Sequence, residues 1–215
     1  GGQSVPYRQE ERGQQRGSER RIAQRPPELQ PVGAVRQPEG ARHVLLDEAY
    51  FEYVTRADYP DSLDAVREGR NVLALRTFSK IYGLAGLRIG YGVTQPGLAE
   101  LMNKVRQPFN TNAVAQIGAL AALGDRKHVE KSVTLNNEGK QFLYREFDRL
   151  GVSYTPTEAN FIFFETRFDG RELYGGLLKK GVIIRPMGGK RLRVTIGLPD
   201  ENKRFIDGLE ILLKS

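Results

Sequence analysis

"TFSKIYGLAGLRIGY", residues 77–91, sets Ser79-Lys80 ahead of Gly83, Gly86 and Gly90, with Arg88 among the glycines. A surface loop has no need of this arrangement. A lysine held among glycines beside a fixed arginine implies an anionic ligand gripped at close range. Lys80 is therefore expected to be buried, with the glycines letting the backbone approach the ligand without Cβ clashes. The flanking apolar runs decide the fold. "NVLALRTF" (71–78) reads as a buried parallel strand, and "LRIGYGV" (87–93) is a further strand candidate.

Working outward, "HVLLDEAY" (43–50) is another short apolar run, ending in acidic residues. It puts Asp47 at the C-terminal end of a strand, where ligands of open α/β sheets collect. "QPGLAELMNKVRQ" (95–107) has Pro96 near a helix start, and "TNAVAQIGALAALG" (111–124) reads as an Ala-rich buried helix that Asn110 and Asn112 lead into. A long amphipathic helix is expected over 126–150, closed by Gly151. There follow a strand (160–165), a helix (170–180, stopped by Gly181), and strands in "VIIRPM" (182–187) and "RLRVTIG" (191–197). A last helix, capped near Asp200, carries Ile206, Leu209 and Leu212 on one face. The alternation gives an α/β class. The expected organisation is a larger sheet domain over 43–125 and a small C-terminal α/β domain over 126–215.

Composition narrows the chemistry. With 39% hydrophobic and 27% charged residues in 215, the chain has the make-up of a globular protein. It has no cysteine, which excludes disulfides, thiolate metal sites and a cysteine nucleophile. No apolar run approaches the ~18–20 residues of a membrane span, and no apolar signal core stands at the N-terminus, so a cytoplasmic location is the expectation. The formal charge of +7 invites a nucleic-acid reading. Residues 1–42 hold eight arginines against five glutamates and are rich in Gln, Gly and Pro. Such a leader cannot bury enough apolar surface to offset its ordering entropy, and it is expected to be disordered or foreign to the fold. With Tyr7 as its one aromatic, it offers little for base stacking.

The chemistry follows from three residue types. A lysine in a desolvated pocket becomes a nucleophilic amine able to condense with an aldehyde. An arginine fork with the Ser79 hydroxyl suits a phosphate. A buried carboxylate such as Asp47 can hold a pyridine nitrogen protonated, making that ring an electron sink. Aldehyde, phosphate and pyridine together describe pyridoxal 5'-phosphate. Taken singly, each residue has a plainer reading: Asp47 a turn former, Lys80 a solvated loop residue, Arg88 an ion-pair partner of Glu48 or Glu52. Arg191 and Arg193 share a strand face and could simply be solvated. His43 and His128 have no partner at a telling spacing, and no metal site is expected.

"DEAY" (47–50), "RTFSKIYGLAGLRIGYG" (76–92), "VRQPFNTN" (105–112), "GVIIRPM" (181–187) and "LRVTIGLPDEN" (192–202) resemble the histidinol-phosphate aminotransferases, a branch of the fold-type I, class I/II pyridoxal-phosphate aminotransferases. The resemblance is collinear from about His43 to Ser215. It implies a covalent attachment and proton-shuttling role for Lys80, a pyridinium partner in Asp47, and a hydrogen bond from Tyr50 to the cofactor's phenolic oxygen. It further implies that Thr77, Ser79 and Arg88 surround the phosphate, and that Arg193, with Arg185, binds the anionic end of the substrate. The implied reaction is amino transfer between histidinol phosphate and 2-oxoglutarate, giving imidazole acetol phosphate and glutamate, in histidine biosynthesis. A homodimer is implied as well.

Members of this family are longer, and the turn, ring-stacking aromatic and Asn-Pro motif of their first half have no counterpart in residues 1–42. The chain is thus expected to be a C-terminal portion whose large mixed sheet is incomplete, leaving exposed edges and apolar faces. Alternatives are an aromatic amino-acid aminotransferase of the same branch, a phosphate-recognising decarboxylase of the same fold, or a non-catalytic remnant with a basic nucleic-acid-binding tail.

Overall fold

In the computed structural model, which describes residues 43–214, two sheets and six α-helices alternate along the chain. The readings made on residues 1–42 lie outside the described residues. The first sheet has the order β1-β2-β3, from β1 (Val44–Asp47), β2 (Val72–Thr77) and β3 (Gly90–Val93). Strands β1 and β2 run parallel, with Asp47 opposite Leu75, and β3 returns antiparallel, with Thr77 opposite Gly90. The parallel pair is joined by the short helix α1 (Ser62–Arg67), whose first turn is capped by the Asp61 carboxylate accepting from the Leu63 N–H. Because β1 and β2 are parallel, their C-terminal ends, with Asp47 and Thr77, open on the same edge.

Strand β3 starts later than its apolar run suggests. Residues Ala85–Leu87 form a 3₁₀ turn and Arg88 adopts a left-handed φ of 56°, so no extended backbone is possible before Ile89. Helix α2 (Pro96–Val105) begins with proline in its first turn. Helix α3 (Ala113–Gly124) is capped by Asn112, whose side chain accepts from the Ala115 N–H. The expectation that α3 is buried is corrected. Only Ala115 and Ala119 are buried, while Val114, Ile117 and Leu120 are 69%, 70% and 74% exposed. Apart from Gln116 the helix is apolar all round, and the small-residue face is the one that finds a packing partner.

Helix α4 (Arg126–Leu150) has the bounds its pattern gives: Asp125 caps the first turn, Gly151 ends the last, and Asn136, Gly139, Lys140, Leu143 and Phe147 recur at helical spacing on the buried face. The second sheet is wholly antiparallel, in the order β4-β5-β7-β6. Its strands are β4 (Ser153–Thr155), β5 (Phe161–Glu165), β6 (Arg185–Pro186) and β7 (Arg191–Thr195). Strand β6 is shorter than "VIIRPM" implies: residues 182–184 do not join the ladder, and past Pro186 the chain turns at Gly188 and Gly189 with positive φ. Helices α5 (Gly170–Leu178) and α6 (Pro199–Lys214) pack with α4 on one face of this sheet.

Strand alternation then divides that sheet. Ile162, Phe164, Leu192 and Val194 point into the core with Leu143, Phe147, Leu177 and Leu209. Phe147 stacks on Phe164 at 5.1 Å between ring centroids, and Phe205 meets both edge-on. The opposite face therefore carries Phe161, Phe163, Arg193 and Thr195. Among the described residues, no helix is long and apolar enough to cross a membrane.

Candidate active site

At the open end of β1 and β2 the chain makes two tight turns. Asp47 is exposed and its carboxylate accepts a hydrogen bond from the Ala49 N–H at 3.1 Å, shaping the turn into a 3₁₀ segment, Phe51–Tyr53. Past β2, the Thr77 hydroxyl accepts from the Ser79 N–H at 3.0 Å. Arg88 then folds back: its guanidinium donates to the Ala85 carbonyl at 2.9 Å and to the Ser79 hydroxyl at 3.4 Å. Thr77, Ser79 and Arg88, the three residues that the resemblance sets around a phosphate, thereby lie close together.

The glycines have a different explanation from the one expected. A Cβ on Gly90 would lie 2.7 Å from the Arg76 carbonyl oxygen, so glycine is required by the close pairing of β3 with β2. Gly83 supplies the positive φ of the turn after Lys80. Close approach to a ligand is not needed to account for either.

Lys80 is exposed, which corrects the expectation of a buried lysine. Its Nζ lies 5.2 Å from the centre of the Tyr50 ring, towards the outer limit of cation–π range. Tyr50 meets Phe161 of β5 edge-on at 5.3 Å, and the Arg193 guanidinium sits 4.7 Å from the centre of the Phe161 ring. One line of contacts thus runs from Lys80 through Tyr50 and Phe161 to Arg193, joining the first sheet to the second. Arg185 is the register partner of Arg193 across β6 and β7. Among the described residues, Lys80, Arg185 and Arg193 have no carboxylate partner. Two uncompensated guanidinium groups side by side attract an anion.

Several supporting residues were not anticipated. Glu48, next to Asp47, is buried and pairs at 3.0 Å with Arg76, next to Thr77; Arg76 also lies over the Phe51 ring at 3.8 Å. The ion pair that was open to Arg88 therefore belongs to Arg76, and an arginine inside an otherwise apolar strand was the available signal. Close by, burial raises the Glu52 carboxyl above its ordinary range. His128, in the first turn of α4, hydrogen-bonds through Nε2 to the carbonyl of Ile81, the residue after Lys80, at 2.8 Å. Glu158 accepts from both the N–H and the hydroxyl of Thr55, at 2.9 and 3.1 Å, with the buried Lys140 amine 3.9 Å away. Burial also raises the Tyr53 hydroxyl, against the opposing hydrogen bond with Asn160. Asn112 is the helix cap it was expected to be, and Asn110 accepts from Arg106.

The donor set can be tested against the cofactor. Two hydroxyls and a guanidinium with no carboxylate among them suit a phosphate, a lysine amine without an acid partner suits an aldehyde, and a carboxylate at a strand end suits a protonated ring nitrogen. The side chains fit pyridoxal phosphate. The enclosure that would desolvate Lys80 and Asp47 is not supplied by the described residues.

The family model for aminotransferase class I and II matches residues 25–209. The chain belongs to the class I and II aminotransferases, whose members depend on pyridoxal phosphate, and its fold is that of the fold-type I enzymes. It is similar to histidinol-phosphate aminotransferase of Moorella thermoacetica, 54% identical over 175 residues, covering 79% of this chain and 45% of the relative. It is 50% identical over 175 residues to histidinol-phosphate aminotransferase 1 of Nitrosococcus oceani, covering 80% and 47%. Among solved structures it resembles the histidinol-phosphate aminotransferase of Sinorhizobium meliloti in complex with pyridoxal-5'-phosphate, with a TM-score of 0.70 and 27% identity over 80% of this chain and 49% of that one. The chain spans about half the length of the relatives it matches.

Proposed function

We propose that this chain carries the lysine-bearing half of a histidinol-phosphate aminotransferase site. The reaction is amino transfer from histidinol phosphate to 2-oxoglutarate, giving imidazole acetol phosphate and glutamate, in histidine biosynthesis. The observation that carries the reading is the line of contacts from Lys80 through Tyr50 and Phe161 to Arg193, with the Thr77–Ser79–Arg88 donor group on the chain beside Lys80 and the uncompensated Arg185 paired in register with Arg193.

When bound, pyridoxal phosphate supplies an electron sink for the negative charge left at the substrate Cα on proton removal. The protein's share is positional and protic. Thr77, Ser79 and Arg88 hold the phosphate through O–H and N–H donors. Asp47 would accept a hydrogen bond from the protonated ring nitrogen, and Tyr50 would donate one to the phenolic oxygen. The Lys80 amine would anchor the cofactor through its aldehyde and, when free, would act as the base that takes the proton from the substrate Cα and as the acid that returns it to the cofactor's C4′. Arg193, with Arg185, would receive the anionic end: the carboxylate of glutamate in one half-reaction, the phosphate of histidinol phosphate in the other.

The proposed division is a cofactor domain over 43–125 and a small domain over 126–215. A second copy of the chain is the proposed partner and the cytoplasm the proposed location, both on the family resemblance. The test is an absorbance spectrum after adding pyridoxal phosphate, with Lys80→Ala as control. A lysine-dependent band near about 420 nm is expected, and its absence from a folded sample defeats the reading. Faster turnover of phenylalanine than of histidinol phosphate would move the assignment to an aromatic amino-acid aminotransferase.

A further inference from the structure

We propose that Phe161 is a positioning residue for anion binding: its ring fixes the Arg193 guanidinium and, through its contact with Tyr50, ties that guanidinium to the Lys80 side of the site. The proposal rests on the reading of Arg193 as the receptor for the anionic end of the substrate.

Strand register explains how the contact arises. Phe161 lies opposite Thr195, and Arg193 lies opposite Phe163, so Phe161 and Arg193 are diagonal neighbours on the sheet face turned away from the core. Diagonal cross-strand partners stand about 7–8 Å apart at the backbone, a span that an aromatic and a long side chain can close. They do, at 4.7 Å from guanidinium carbon to ring centre. An arginine on this face would otherwise be free to sample many rotamers or to pair with an acid, and no described carboxylate holds it. The ring offers a third solution. A cation over a π face is attracted without giving up a hydrogen-bond donor, and all five guanidinium N–H bonds lie in the group's own plane. The fork that grips a carboxylate or phosphate is therefore kept open and aimed in advance.

The other edge of Phe161 is not idle. Tyr50 abuts it at 5.3 Å with the rings 77° apart, and Lys80 lies 5.2 Å from the centre of the Tyr50 ring. Phe161 is the one side chain that touches both the arginine of the second sheet and the tyrosine of the first in this line of contacts. Loss of its ring frees Arg193 and removes the stop against which Tyr50 is set.

The experiment is a titration of the full chain with glutarate, a dicarboxylate with no amino group to transfer, followed by the backbone amide shifts of β7 in heteronuclear NMR. Phe161→Leu keeps apolar bulk and removes the π face; Phe161→Tyr keeps the face; Arg193→Lys keeps charge and removes the fork. Expected are a roughly three- to thirtyfold weaker glutarate affinity for F161L and an affinity within about twofold of the unaltered chain for F161Y. F161L binding as tightly as the unaltered chain, or F161Y binding as weakly as F161L, overturns the role of the ring. If R193K binds glutarate undiminished, or the unaltered chain does not bind it, the anion-receptor reading itself fails, and the proposal falls with it. Unchanged β7 shifts in the free variants establish that the sheet is intact.

Discussion

Glu48 and Arg76 form a buried ion pair at 3.0 Å, each one residue away from a residue proposed to hold the cofactor, Asp47 and Thr77. Both side chains are nearly sealed from water, at 5% and 11% exposure, and the arginine is sandwiched onto Phe51. Parallel register brings the two strand ends level, and the pair locks them there.

Removing one partner leaves the other charged and buried. Glu48→Ala leaves Arg76 with the Asp61 carboxylate at 3.5 Å, so the loss is expected to stay below the ~3–5 kcal/mol of a wholly unpaired buried charge, read as a lower urea midpoint at unchanged m-value, whereas a paired apolar replacement of Glu48 and Arg76 costs far less. Equal losses for the single and the double variant would show that the pair is not coupled.

His128 predicts a local effect. Its bond to the Ile81 carbonyl is the contact by which α4 holds the turn carrying Lys80. His128→Ala should cost about 1 kcal/mol overall and speed amide hydrogen exchange at residues 82–84 more than in the second sheet. His128→Gln, which retains an N–H donor, should slow it again.

The acid limb of stability has an identifiable contributor. Hydrogen bonds from Arg149, and next from Lys214, hold the Glu210 carboxyl down to about 2, from an ordinary 4.5. A depressed carboxyl stabilises the fold above its unfolded value and loses that contribution as pH falls from about 4.5 towards 2. Glu210→Gln should therefore flatten the pH dependence of the unfolding midpoint in this window. The effect is small, because the group is open to solvent and screened by salt.

In the core of the second sheet, Phe147 is fully buried between Phe164, Phe205 and Tyr154. Phe147→Ala should cost about 3–5 kcal/mol by denaturant titration, with the cavity adding to the lost transfer energy.

What the sequence discloses and what it hides divide along physical lines. Helix α4 is legible to the residue because its cap, its period and its terminating glycine are all local signals. So is the gathering of Thr77, Ser79 and Arg88, which one turn brings together. The Glu48–Arg76 pair is invisible in one dimension, since it depends on register between strands separated by a helix. Phe161 is hidden for another reason: in "FIFFE" an aromatic facing an arginine reads the same as one facing the core. The exposure of Lys80 and of the outer stripe of α3 follows from which elements are there to cover them, a property no local pattern records.

Helix α4 also has a mechanical consequence. Its 25 residues make a rod about 37 Å long, fixed at one end to the carbonyl beside Lys80 and at the other, through Phe147, to the second core. A tilt of about 3° about the His128 end displaces the far end by roughly 2 Å. The lysine turn and the core beneath Arg193 are thus tied to opposite ends of one continuous helix, and a change of tilt at either end is carried to the other in proportion to its length.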